Sequence, residues 1–284
     1  MNTPQISIII PCYNCEKTLI EAVDSCFVQG VDSFEVILVD DSSTDSTVAV
    51  MKKLASKYPE VKLFFHKKNQ GGGATRNTAT QNALYPIIFC LDSDDLLPPG
   101  TLAKMLRCML ENNADGVGVN RSLKFRGTNV KDIERVDTFG YVEEKIPFRS
   151  LLEKEGVLCS LYSTFMFTRK SFDLIGGYPT EHGFDTQGFA WRFLMHGLNA
   201  YTCKDAEYLH RINFHESYYM REYNAGKLNH NWQVIFEENI LVFSKEVQEQ
   251  IINSSLSDLD ISLINNIKSI DDPWNSEAEF IIQE

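Results

Sequence analysis

The residues best suited to chemistry are Asp92, Asp94 and Asp95, which end the apolar run Ile87-Ile88-Phe89-Cys90-Leu91 in three carboxylates. A run of this kind reads as a strand buried in a parallel sheet. Open α/β sheets bind ligands outside the carboxyl ends of their strands, so the acidic cluster is expected at the mouth of a crevice. Clustered carboxylates repel one another unless a cation or a proton intervenes. Mg²⁺ and Mn²⁺, which prefer hard oxygen ligands, are the natural partners. The competing use for Asp94 or Asp95 is to cap the helix that Pro98 and Pro99 introduce.

Three other turns carry comparable residues. Pro11-Cys12-Tyr13-Asn14 breaks a β-branched run at Ile6 to Ile10. Asp40-Asp41-Ser42-Ser43-Thr44-Asp45 ends Glu35 to Val39; helix capping explains some of these residues, and two adjacent carboxylates less naturally. Asn69 to Asn77 holds Gly71, Gly72, Gly73 and Arg76, without the spacing of a dinucleotide fingerprint or the Lys-Ser/Thr of a phosphate loop. Arg76 on its own reads more readily as a surface ion-pair partner than as a ligand contact.

The elements that must position these turns alternate. Strands at 6–10, 35–39, 61–65 and 87–91 are each followed by helical spacing: Glu16 to about Gln29 with Gly30 as cap, Val48 to Ala55, a helix opened by the 69–77 turn and running to about Leu84, and Thr101 to Glu111. Four strand–helix units argue a parallel α/β sheet whose polar turns line one edge. Beyond residue 115 the pattern weakens. Gly116 to Val119, Leu158 to Phe167 and Tyr201 to Leu209 read as strands. Lys170 to Ile175, closed by Gly176-Gly177, and Gln187 to His196 read as helical; 126–145 reads as a polar loop. The boundary falls near residue 223, with a helical extension over 224–284 and a linker at Asn253 to Ser257.

The chain has 284 residues, 43% of them apolar, and a net charge of −12. That charge disfavours nucleic acid as a partner. No run is long enough for a membrane span, and the start lacks a signal-peptide pattern. The seven cysteines are scattered, and Cys12-x-x-Cys15 has no second pair to make a zinc site. Reduced thiols and a cytoplasmic setting are the expectation.

Together, Ile8 to Asn14, Val36 to Asp45, Ala74 to Asn77 and Leu91 to Asp95 resemble the family 2 glycosyltransferases, nucleotide-sugar-dependent enzymes of the GT-A fold. The likeness is close over residues 5 to about 110 and looser to about 218. It implies a Rossmann-like, mostly parallel sheet flanked by helices. Tyr13 would stack on the base, Asp41 would accept its ring N–H, Pro11 and Asn14 would shape the turn, and Arg76 would reach the nucleotide. Asp92 would contact ribose, Asp94 would bind Mn²⁺ or Mg²⁺, and Asp95 would help position metal or donor sugar. Arg211 would touch the diphosphate, and His215 would be a further metal ligand.

The family's catalytic base precedes a helix and a basic residue. Aligned on Arg192, that place holds Thr186, which cannot act; a shift of one residue makes Asp185 the base, with Glu181 as the alternative. Asp185 as a helix cap is the competing use. The resemblance implies inverting transfer from a nucleoside-diphosphate sugar, with UDP favoured. The acceptor would be a glycan or glycolipid of a bacterial lipopolysaccharide or capsule, met at the inner membrane face. Trp232 and Phe236 could serve a dimer or membrane contact. Dehalogenase-type phosphatases place Asp-x-Asp after the first strand, and nucleotidyltransferases open on a basic glycine-rich signature; neither pattern occurs here. A non-catalytic nucleotide-sugar-binding module stays open because of Thr186.

Overall fold

The computed structural model describes residues 5–128, 130–146, 161, 164–180, 185–212, 234 and 237–253. Four parallel strands form its centre: β1 (Ile6–Cys12), β2 (Phe34–Asp40), β3 (Val61–Phe65) and β4 (Ile87–Cys90). Their spatial order is β3-β2-β1-β4, in a register that sets Cys12 beside Asp40 and Ile9 beside Cys90. The chain leaves β1 to one side for β2 and returns to its other side for β4. The switch point therefore lies between the ends of β1 and β4, where doubly wound sheets bind ligands.

Side chains alternate across the sheet, and both faces are covered. Ile8, Ile10, Val36, Leu38 and Phe89 pack under α1 (Leu19–Ser25), α2 (Thr47–Lys57) and α4 (Thr101–Glu111). Ile9, Ile37, Val39 and Ile88 face the opposite way, with Ala79 of α3 (Gly72–Gln81). That second core is closed by aromatic residues of β7 (Phe165–Thr168), α5 (Arg169–Leu174) and α6 (Asp185–Met195). Phe189 stacks on Tyr178 with ring centres 4.0 Å apart.

The sheet continues from β4 into antiparallel β7, then β5 (Gly116–Arg126), which also pairs β6 (Ile133–Thr138) and, in parallel, β8 (Ala200–Ile212). The polar loop expected at 126–145 is corrected by β6. Its residues are almost all exposed, and Arg126–Glu134 and Lys124–Asp137 pairs join it to β5. A strand solvated on both faces leaves no alternation to read. The first helix is shorter than its pattern: α1 begins at Leu19, because Cys15 O takes the amides of Thr18 and Leu19 in a preceding turn. Gly30, Gly176 and Gly177 all sit at positive φ where the helices stop.

From the expected C-terminal extension, Phe243 and Val247 of α7 (Lys245–Asn253) and its approach are buried in the core that holds Phe165 and Trp191. The boundary expected at 223 and the linker beyond Asn253 lie outside the described residues. Among the described residues no helix is long and apolar enough to cross a membrane, and Cys12, Cys15, Cys26, Cys90, Cys108 and Cys203 are free thiols.

Candidate active site

A cleft of about 700 Å³ opens at the carboxyl ends of β1 and β2. Pro11, Tyr13, Asp41, the Gly71–Gly73 turn, Arg76 and Asp185 all line it. Tyr13 is half exposed, its ring at the rim. Asn14 takes a positive φ of 50° and ties the first turn to the second, its side-chain oxygen accepting the Thr44 amide at 2.8 Å. The adjacent carboxylates at the end of β2 divide their work. Asp40 accepts the Ser43 amide at 3.2 Å and forms the turn, and Asp45 accepts the Thr47 amide at the start of α2. Asp41 is buried and faces the cleft.

Asp41 is held from three directions. Its oxygens accept the amides of Gln70 at 2.9 Å and Gly71 at 2.8 Å. His66 Nδ1 lies 2.8 Å from Oδ1, and the other ring nitrogen lies 2.9 Å from the Thr78 hydroxyl. This fixes the plane of the carboxylate and presents its remaining lone pairs to the cleft. Sequence reasoning missed His66 and Thr78; they belong to β3's end and α3, and only the packing of α3 over β2 brings them to Asp41. Gly71 reaches its place at φ 88°, ψ 167°, a region for glycine.

The acidic cluster after β4 splits. Asp92 keeps a side chain 44% exposed, and Asp94 is partly exposed beside it. Asp95 is buried and turned toward β8: Oδ1 accepts the Arg211 amide at 2.8 Å, and Oδ2 lies 3.1 Å from His210 Nδ1. Burial pushes the Asp95 carboxyl up, with His210 the chief opposing influence. Burial works against charge on His210, but Asp95 outweighs it and lifts the imidazole above its ordinary value. Arg211 is buried as well. Its guanidinium donates to Asp94 O at 2.8 Å, to Gly127 O and to Glu21 at 2.5 Å, over the ring of Phe125. The residue expected at a diphosphate thus staples the acidic turn to α1 and β5. Of the expected site residues, Asn14, Asp92, Asp94, Asp95 and Arg211 do not line the cleft.

Asp185 begins α6, so it could cap that helix, and its Oδ1 does accept the Thr186 amide at 2.9 Å. Its Oδ2 lies 2.5 Å from Arg76 Nη1, and the same guanidinium reaches Asp92 Oδ1 at 2.5 Å. Burial alone would disfavour the Arg76 cation; Asp185 and Asp92 keep it charged. The glycines let α3 approach this closely. A Cβ on Gly73 would stand 1.9 Å from Pro179 O. Gly73→Ala should therefore cost about 3 kcal/mol, the upper end of ordinary overpacking, seen as a lower midpoint in denaturant unfolding. Glu181 and His215 lie outside the described residues, and among those described no three His, Cys, Asp or Glu side chains converge to hold a metal.

The model of glycosyl transferase family 2 matches residues 7–175. A poly(ribitol-phosphate) beta-glucosyltransferase of Bacillus spizizenii is 34% identical over 169 residues, covering 54% of this chain and 26% of that one. The chain likewise spans less than half the length of curated relatives with which it shares 37–42% identity. Among solved structures, TarS 1–349 of S. aureus with UDP-GlcNAc superposes with a TM-score of 0.66 at 21% identity, over 87% of this chain and 70% of that one. The mannosyltransferase PcManGT of Pyrobaculum calidifontis, with GDP-Man and Mn²⁺, gives 0.59 at 20% identity, over 90% and 66%. The sheet order, the cleft and this likeness establish the GT-A fold. With more than half its length matched by the family model, the chain belongs to glycosyl transferase family 2.

Proposed function

We propose that the protein transfers a sugar from a nucleoside-diphosphate sugar, with UDP as the nucleotide, to an acceptor hydroxyl, inverting the anomeric carbon. One observation carries this reading: Asp185 shares a cleft with Tyr13 and Asp41, although it stands more than a hundred positions further along the chain. The cleft thus combines a nucleobase platform with a carboxylate suited to proton abstraction.

In this reading the base stacks on Tyr13, since an aromatic face suits any nucleobase. Asp41 accepts the ring N–H of uracil, and its three protein donors keep the acceptor geometry fixed. Asp185 takes the proton of the acceptor hydroxyl as that oxygen attacks from the face opposite the leaving group. The residues also fit a divalent cation. Asp92 and Asp94 offer hard oxygens at the open end of the switch point. Mg²⁺-like ions are commonly held by one or two carboxylates and substrate phosphates without a full protein cage. Such a cation would supply charge neutralisation for the departing diphosphate. The name of the Bacillus relative supports a hydroxyl-rich polymer as the acceptor class.

A thermal-shift panel of nucleoside diphosphates tests the reading. UDP with Mn²⁺ should raise the melting temperature by several degrees at a hundredfold excess over its Kd, equivalent to about 2.7 kcal/mol. GDP, ADP and CDP should raise it less. Equal response to all four, or to none, would overturn the donor assignment.

A further inference from the structure

We propose that Arg76 is the mount of the base: a positioning residue for Asp185, and not a ligand of the nucleotide. The inference rests on the proposed transfer reaction and assigns Arg76 a place in it. Arg76 is 7% exposed, and each terminal nitrogen has a carboxylate partner, Nη1 with Asp185 and Nη2 with Asp92, at 2.5 Å each. The three side chains together carry one net negative charge. A cation already outnumbered by two carboxylates offers little attraction to a diphosphate. It is well placed, however, to hold a carboxylate in one orientation.

The surroundings fit that task. A Cβ on Gly72 would come within 2.5 Å of Asp185 Oδ2 and 2.7 Å of Arg76 Nη1, so the pair lies directly on the backbone of the first turn of α3. One turn along, Asn77 grips the chain that leads to Asp185. Its Nδ2 donates to Tyr178 O at 2.8 Å, and its Oδ1 accepts the Tyr178 amide at 2.8 Å. The aromatic ring of Tyr178 lies 5.9 Å from the Arg76 guanidinium carbon. Gly72, Gly73, Arg76 and Asn77 therefore act as one bracket against the segment that delivers the base. With Oδ2 on Arg76 and Oδ1 on the Thr186 amide, the carboxylate plane of Asp185 is set toward the cleft before any acceptor arrives. Such positioning is worth about a hundredfold when it is lost by an ångström.

The test compares wild type, Arg76→Gln, Arg76→Lys, Asp185→Asn and the double variant Arg76→Gln/Asp185→Asn. Calorimetry with UDP and Mn²⁺ reads donor binding, and UDP release from UDP-glucose and UDP-GlcNAc, with water or an added glycan hydroxyl taking the sugar, reads turnover. Arg76→Gln should keep the UDP Kd within about threefold and lower kcat about a hundredfold without raising the donor KM. Arg76→Lys should recover part of the loss, because a charge remains but the fork does not. Adding Asp185→Asn to Arg76→Gln should cost nothing beyond Asp185→Asn alone. A tenfold weaker UDP Kd with kcat kept at saturating donor would make Arg76 a nucleotide ligand and overturn the inference. Losses that multiply in the double variant would overturn it too, with the transfer reaction left standing. A wild type that binds UDP but consumes no nucleotide sugar would overturn the reaction, and this role with it. Should Arg76→Gln fail to fold, the same comparisons with Arg76→Lys decide.

Discussion

Asp185→Asn is expected to abolish sugar transfer, with a loss of about 10³-fold, while UDP binding stays within a factor of two. Asparagine is nearly the size and shape of aspartate but cannot take a proton from an acceptor hydroxyl. Tyr13 and Asp41, the proposed base platform and ring N–H acceptor, lie elsewhere in the cleft lining and keep their contacts. Arg76 keeps Asp92 as a partner, so the cation is not stranded and the fold survives. Donor consumption with a saturating UDP-sugar measures the first effect, and calorimetry with UDP measures the second. Retained turnover would remove Asp185 as the base, and with it the reason to align the family's position one residue before Thr186.

The second large effect is expected at Asp94. Asp94→Asn should erase the part of UDP stabilisation that depends on Mn²⁺ and leave the metal-free part unchanged. An amide oxygen carries no net charge, so the site loses most of its attraction for a divalent ion. The Asp94 backbone carbonyl, which accepts from Arg211, is untouched by the change. Transfer should fall by about 10²-fold or more, since charge stabilisation at a leaving group is among the larger catalytic contributions. Thermal shifts with UDP, with and without Mn²⁺, separate the two components. A wild type whose UDP response ignores metal would end this assignment.

The layout of the sheet was legible because its signals are local. Runs such as Ile6 to Ile10 and Val36 to Val39 are apolar on both faces, and each is closed by polar or glycine residues. Those features alone locate four strands along the chain and send their turns to one edge. The glycines at 71–73 were visible as a turn; their second use, admitting Pro179 and Asp185 against α3, depends on a segment a hundred residues later. β6 escaped notice because it is solvated throughout and held by charge pairs.

The amino-acid sequence by itself determined the nucleated core of this protein: which runs become buried strands, which turns carry carboxylates, and that Tyr13, Asp41, Arg76 and Asp92 belong to one edge. Tertiary structure alone decided what each charged group faces. It turned Asp95 inward to His210 and the Arg211 amide, spent the Arg211 guanidinium on the acidic turn and Glu21, and set Arg76 between Asp92 and Asp185. Apolar burial follows from periodicity that any short window contains. The partner of a buried charge is chosen by strand pairing and helix docking across long stretches of chain, where the cost of leaving an ion unpaired selects one arrangement.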